Sequence, residues 1–323
     1  LVEASETTRL QQAEVVANEQ ICREHFRITL GLHTFGEAFP GQFVHISPTE
    51  RLGAGYAEVD WSHGVVSAEW HAQCADPFLR RAFSVAGLER DCETGCTRVD
   101  LIYREVGRAT AWMASRRTGD RISVLGPLGN RFPISPHKPV AWMVAGGVGL
   151  PPMLWLAETL QVAGKQSVAF CGAQSRDLMA LSMACEAVPS VDGTKAHLCT
   201  EEFSQSGTPV VLSTDDGTLG FHGHVGKALT AFHASNPASP NDVVVYSCGP
   251  ERMMRFVADF CAQRGIECHL CMERAMACGT GTCQSCVVPV RDDTDPDGWR
   301  YRLCCADGPV FHADDVVWDP TTK

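Results

Sequence analysis

Positive charge is scarce in this chain. Its 323 residues carry 27 Lys and Arg against 38 Asp and Glu, a formal net charge of -11 and a pI near 5.5. It lacks the clustered cations that nucleic acid or an anionic membrane surface rewards, so neither is an expected partner; a protein or a small molecule is. Internal repeats and low-complexity tracts are missing too, and a hydrophobic content of 45% gives no sign of disorder. The length suits two or three domains. A continuous membrane-spanning helix is excluded by punctuation rather than by charge. Residues 139–157 hold no charged side chain, yet Gly146, Gly147, Gly149, Pro151 and Pro152 break the run in the middle. A buried strand, a glycine turn and a new helix explain the same residues. No signal peptide is recognisable, so the expected compartment is the cytoplasm.

Cysteine, in contrast, is plentiful. Sixteen are present, in a chain far larger than the small secreted scaffolds that need disulfides. Cys22, Cys171, Cys185 and Cys199 read as small buried hydrophobes. Cys74, Cys92 and Cys96 fall in loop-like sequence, where a second metal site is a minor alternative. The informative group is Cys278, Cys283 and Cys286 in the run C-G-T-G-T-C-Q-S-C, answered by Cys304 and Cys305. C-x4-C-x2-C followed by a distant cysteine is the ligand spacing of a plant-type 2Fe-2S cluster. Such a cluster is negatively charged, the more so when reduced, so the chain around it must turn backbone N–H groups toward sulfur. Gly279 and Gly281 permit that close wrapping, and Thr280, Thr282 and Ser285 stay small. Neighbours in an extended segment point to opposite sides, so only one of Cys304 and Cys305 is expected to reach the cluster. A zinc ribbon pairing Cys268 and Cys271 with Cys283 and Cys286 is the rival reading. It leaves Cys278 and the Gly-Thr-Gly loop unexplained, and Ile266, Cys268 and Leu270 alternate like one face of a strand.

Upstream, short β-branched or alternating runs at 26–30, 42–47, 82–86, 99–104 and 121–125 are separated by Gly, Pro and Asp turns, the texture of an antiparallel barrel. Residues 48–77 form a long insertion, expected to be a loop with a small hairpin. From residue 140 the texture becomes α/β, with buried strands at 140–145, 167–171 and 243–247. Met253, Met254, Phe256, Val257 and Phe260 keep the spacing of an ordinary amphipathic helix.

Three further segments carry binding chemistry. Gly146-Gly147-Val148-Gly149 follows a strand and opens a helix, so its amides are expected at a pyrophosphate, although Pro152 stands where G-x-G-x-x-G has its last glycine. Cys248, Gly249 and Pro250 occupy a second strand end, the place where open sheets bind ligands; Pro250 is expected to start the next helix. In the barrel region, Arg81, Ala82, Phe83 and Ser84 combine a fixed cation, an aromatic face and a hydroxyl. Gly107, Arg108, Ala109 and Thr110 lead into a helix. Together they are expected to hold a flavin: Arg81 at a phosphate, Phe83 and Tyr103 near ring systems, and Thr110 capping the helix whose amides face the pyrophosphate.

The order R-x-F-S, G-x-x-T, L-G-P-L-G-N, G-G-x-G, C-G-P, M-A-C and C-A-D-G-P-V-F resembles the electron-transfer subunit of NAD-dependent dihydroorotate dehydrogenase, in the ferredoxin-NADP reductase superfamily. The resemblance spans residues 13–318. It implies a multidomain chain: an N-terminal tail (1–12), an antiparallel β-barrel binding FAD (13–135), an α/β domain binding NAD (136–264) and a small 2Fe-2S domain (265–323). It implies Cys305, not Cys304, as the fourth ligand beside Cys278, Cys283 and Cys286. It assigns FAD contacts to Arg81 to Ser84, to Ile102, Tyr103 and Arg104, and to Ala109 and Thr110. Ala109 stands where the family has glycine, and the 48–77 insertion is unusually long. The implied function is electron transfer from the FMN of a catalytic partner subunit, in a heterotetramer, through the cluster and FAD to NAD in pyrimidine biosynthesis. Flavin is needed because a cluster moves single electrons and nicotinamide takes a hydride, which is expected near Cys248. Ser175 and Arg176 would suit a 2′-phosphate and Asp177 opposes it; the resemblance favours NAD. The alternatives are a reductase subunit of a hydrogenase, oxygenase or ferredoxin system, and a non-catalytic zinc-ribbon interaction protein.

Overall fold

The computed structural model describes residues 8–48, 79–91, 95–184 and 189–320. Residues 49–77 of the expected insertion, together with Cys74, Cys92 and Cys185, lie outside them. Among the described residues no helix is long and apolar enough to cross a membrane.

Six strands close an antiparallel barrel: β1 (Arg9–Cys22), β2 (His25–Leu32), β3 (Phe43–Ser47), β4 (Arg81–Arg90), β5 (Thr97–Arg104) and β6 (Arg121–Leu128), in the order β1-β2-β5-β4-β3-β6. Alternation decides which side chains go inside. Ile28, Leu30 and Leu32 of β2 meet Val99, Leu101 and Tyr103 of β5 in one buried cluster, while Arg27 and Thr29 point away. β1 begins at Arg9, ahead of the start expected at residue 13, and only Ala13 and Val15 along it are buried. Its polar outer face hides the strand from a reading based on apolar runs. A short helix, α1 (Arg108–Ala114), follows β5.

The second unit is a seven-stranded sheet. Its strands are β7 (Val140–Gly146), β8 (Gln166–Ala173), β9 (Val210–Thr214), β10 (Phe221–His222), β11 (Val243–Cys248), β12 (Glu267–Cys271) and, after a hairpin of β13 (Val287–Arg291) and β14 (Trp299–Leu303), β15 (Val310–His312). The order is β10-β9-β8-β7-β11-β12-β15, parallel except for β15 against β12. Helices α2 (Leu150–Val162), α3 (Val225–Ser235) and α4 (Glu251–Ala262) cover the two faces. Along β7, Ala141, Met143 and Ala145 pack beneath α2, and Trp142 and Val144 pack beneath α3 and α4. Both faces are buried, as a parallel sheet requires, so these strands read as continuous apolar runs. Residues 139–157 thus form a strand, a glycine turn and the start of a helix.

The sequence reading set the C-terminal unit apart at residue 265. Yet β12 and β15 extend the α/β sheet: β12 pairs with β11 through one backbone ladder, and β15 pairs in turn with β12. It is also tied to the barrel. The Asn130 side chain donates to the carbonyls of Asp307 (3.0 Å) and Val310 (2.8 Å) and accepts from Val310 N–H (2.9 Å), and Asn130 N–H donates to Gly308 O at 2.6 Å. Gly129 (φ +77°) has no room for a Cβ, which would lie 2.6 Å from Pro309.

Candidate functional site

The chain runs from β7 outward to β8, then returns past β7 to β11 and on to β12. The direction therefore reverses between β7 and β11, whose carboxyl ends lie side by side with Ala145 opposite Cys248. Open sheets bind ligands in the crevice at such a switch point. Gly146 to Gly149 and Cys248 to Pro250 form its rim, and the two turns touch. A Cβ on Gly149 would stand 2.0 Å from the Cys248 carbonyl oxygen, whereas one on Gly147 (φ +52°) would meet nothing. Gly149 is thus needed for packing, and Gly147 alone of the pair faces open space. The expectation that this helix end supplies amides to a pyrophosphate is weakened. Pro151 and Pro152 occupy the first turn of α2 and have no N–H, and the Leu150 amide is spent on Gly147 O. Pro250 precedes α4 as its cap residue rather than starting it.

Between this rim and the barrel lies a cleft of about 960 Å³, of a size for a large cofactor. Three parts of the chain build it. The barrel gives Phe43, Arg81, Ala82, Phe83, Ser84, Ile102, Tyr103 and Arg104, with Val106 to Thr110 at the mouth of α1. The sheet gives Val148, Pro151 and Cys248, and the C-terminal unit gives Cys271 to Met276 and Pro309. All the barrel residues expected at a flavin are therefore brought together. Gly146, Gly149, Gly249 and Pro250 are not part of this wall, and Gly147 lines a small pocket behind it.

Details separate the bound from the binding. Of two adjacent arginines, Arg80 is turned inward, donating to His45 O (3.1 Å), Ser123 O (3.2 Å) and Ser123 Oγ (2.6 Å). Arg81 is exposed and, among the described residues, donates only to the nearby carbonyls of Leu79 and Arg80. Arg104 is engaged by Glu24, with Nη2 to Oε2 at 2.7 Å. Tyr103 stacks on Phe26 and meets Phe83 edge-on, its hydroxyl donating to Asn18 at 3.1 Å. Thr110 was expected as the helix cap. It sits instead inside α1 as its third residue, and its hydroxyl accepts from the amides of Val106 (2.9 Å) and Gly107 (3.1 Å), which lie ahead of the helix. Phe43, which opens β3, and the 272–276 segment were not foreseen; the segment's loop residues reach the wall only through the docking of the C-terminal unit.

That segment leads, two residues after Met276, into Cys278. Cys278 and Cys283 form one close pair of thiols, and Cys286 and Cys305 the other. Backbone amides point at these sulfurs: Thr280 and Cys283 N–H at Cys278 (3.4 Å each), Gly281 N–H at Cys305 (3.2 Å) and Cys305 N–H at Cys286 (3.4 Å). Gly279 (φ +73°), Gly281 (φ +84°) and Gln284 (φ +54°) take the left-handed conformations that this wrapping needs. The first pair lies toward solvent and the second is buried. The Ser285 hydroxyl, with nearby amides, holds the Cys283 thiol down to about 6. Against the effect of its partial burial, the amides of Cys283 and Thr280 hold Cys278 below the usual thiol range. Burial, then the neighbouring Cys286, push Cys305 up to about 12, a proton that a bound metal ion would displace.

Two pairs of thiols suit two iron ions. Among the described residues no three Cys, His, Asp or Glu side chains converge on a single ion position. The donor set, amide-lined and doubly paired, fits a 2Fe-2S cluster. The zinc-ribbon ligands do not assemble: on β12, the free thiol of Cys268 lies against that of Cys261 and the thiol of Cys271 against that of Cys248, away from Cys283 and Cys286. Cys304 and Cys305 lie in a turn, not an extended segment, but their side chains do part. Cys304 Sγ donates to Met272 O at 3.2 Å, while Cys305 faces the loop.

Barrel and switch-point crevice around one cleft, with the cysteine loop following directly on the 271–276 wall, define an oxidoreductase of the ferredoxin-reductase type with an iron–sulfur unit. Residues 143–259 match the family model of the oxidoreductase NAD-binding domain, and residues 273–317 that of the iron-sulfur cluster binding domain of dihydroorotate dehydrogenase B. A solved structure of an NADH-dependent reduced ferredoxin-NADP oxidoreductase, studied for flavin-based electron bifurcation, has the same fold. Its TM-score is 0.70 at 24% identity, over 95% of this chain and 90% of that one. Among curated relatives, the dihydroorotate dehydrogenase B (NAD(+)) electron transfer subunit of Geobacillus kaustophilus is 32% identical over 95% of this chain and 98% of its own length. That of Lysinibacillus sphaericus is 30% identical over 94% and 96%. The chain belongs to the family of dihydroorotate dehydrogenase B electron transfer subunits.

Proposed function

We propose that this chain relays electrons between an FMN-containing dihydroorotate dehydrogenase catalytic subunit and NAD, in a cytoplasmic heterotetramer that serves pyrimidine biosynthesis. The observation that carries this reading is the common wall: residues 271–276 line the cleft and run directly into Cys278. When bound, FAD exchanges a hydride with nicotinamide and single electrons with a 2Fe-2S cluster.

The residues divide the work. Arg81 is the exposed cation for a phosphate, and Ala82, Phe83, Ser84, Ile102 and Tyr103 form an apolar, aromatic bed for a ring system. Gly107, Ala109 and Thr110 close the far end. Val148 and Cys248 bring the crevice of the sheet to the same cleft, and these residues would hold a nicotinamide there. Cys278, Cys283, Cys286 and Cys305 are the cluster ligands in this reading. Domain limits at residues 13, 136 and 265 remain useful as functional divisions, although the last falls just ahead of a strand of the shared sheet.

Reconstitution tests the partner assignment. Mixed with the FMN-containing catalytic subunit, the holoprotein should support NADH formation driven by dihydroorotate. A stable, cofactor-loaded chain that leaves this reaction at the rate of the catalytic subunit alone would contradict it.

A further inference from the structure

His45 lies in the middle of β3, on the face shared with Phe43, and is fully inaccessible. Among the described residues, neither ring nitrogen has a hydrogen-bond partner. An imidazole carries at least one N–H in either charge state, and burying it without an acceptor is costly. The elements packed around it supply none: across the ladders stand Ala82 of β4 and Leu125 of β6, Phe43 lies 5.8 Å away centroid to centroid, and the Arg80 guanidinium addresses the His45 carbonyl, not the ring.

What the ring does touch is the cysteine loop. A Cβ on Gly279 would fall 2.8 Å from Cε1 and 2.9 Å from both Nδ1 and Nε2 of His45. Gly279, next to Cys278, therefore has two reasons to be glycine: its φ of +73° and the imidazole lying on it. A barrel side chain with a spare N–H is thus held against the loop whose sulfurs accept N–H groups.

We propose that His45 donates a hydrogen bond from the barrel to the iron–sulfur centre of the 278–286 loop and so raises its reduction potential. The inference rests on the cysteine assignment above. A donor aimed at sulfur stabilises the added negative charge of the reduced form, as the loop amides do. Alongside Phe43 at the cleft, it makes β3 the strand whose one face meets both redox sites.

The test uses cluster-loaded protein labelled with ¹⁵N only in histidine, reduced and examined by pulsed EPR, with midpoint potentials from a redox titration of wild type, His45→Leu and His45→Gln. Wild type should show a weak histidine ¹⁵N coupling that both variants lose. His45→Leu should shift the reduction equilibrium about tenfold toward the oxidised form, close to 59 mV for one electron, and His45→Gln, which keeps an N–H, should shift it less. A loaded wild-type centre without histidine coupling, or an unchanged potential in a loaded His45→Leu protein, overturns the role of His45 alone. Wild-type protein without iron, sulfide or a reduced-cluster signal overturns the cysteine assignment as well. Should His45→Leu fail to load, the wild-type coupling and the His45→Gln protein decide.

Discussion

The nucleotide crevice and the cysteine loop are built from the same two residue types, and they use them in opposite ways. At the crevice, Gly149 is glycine because the Cys248 carbonyl leaves no room for a Cβ, and the thiols of Cys248 and Cys271 are turned toward each other. In the loop, Gly281 is glycine mainly for its positive φ and Gly279 for its positive φ and the His45 ring against it, and the thiols face backbone amides. The hydrogen bond with Cys248, then burial, keeps Cys271 far above the ordinary thiol range, while Ser285 holds Cys283 low. Spacing nominates cysteines; the direction of the nearest N–H groups sets the proposed ligands apart from the core thiols.

The adjacent cysteines give the sharpest way to break that contrast. Cys305→Ala should lose most of the bound iron and sulfide, read by colorimetric assay and visible absorbance, whereas Cys304→Ala should keep both. Gly149→Ala comes next. With a Cβ 2.0 Å from a carbonyl oxygen, it should lower stability by about 3 kcal/mol or more, seen as a fall in the denaturant midpoint. Cys304→Ala itself should cost about 1 kcal/mol, since it gives up one hydrogen bond to Met272 O. Gly147→Ala has a similarly small cost, about 1–2 kcal/mol, because only the left-handed backbone opposes it. A Gly147→Ala protein as unstable as Gly149→Ala would erase the distinction between the two glycines.

Much of this arrangement is legible before any coordinates. Five barrel strands show their alternation, and β7, β8 and β11 show their unbroken apolar runs, because burial writes period and length into sequence. β1 escapes because most of its length faces water, with Ala13 and Val15 its only buried residues. β15 escapes because three residues, Val310–His312, are too few to show any period. The barrel residues of the cleft could be named from the arginine, aromatic and hydroxyl pattern. Met272 to Met276 could not be assigned to it, since nothing local marks a loop as the wall of a cavity formed by a distant barrel. Thr110 falls in the expected turn but makes a different bond: its hydroxyl accepts from the amides of Val106 and Gly107 ahead of the helix. The histidine on Gly279 was likewise hidden, for the two residues are neighbours only across two domains.

An anaerobic titration of the isolated holoprotein with NADH, followed by visible absorbance and low-temperature EPR with iron, sulfide and flavin assayed on the same sample, tests the relay most directly. The account predicts that the flavin bleaches and that a rhombic signal of a reduced 2Fe-2S cluster grows with it. A folded, freshly isolated protein with no flavin, no iron and no response to NADH would contradict it.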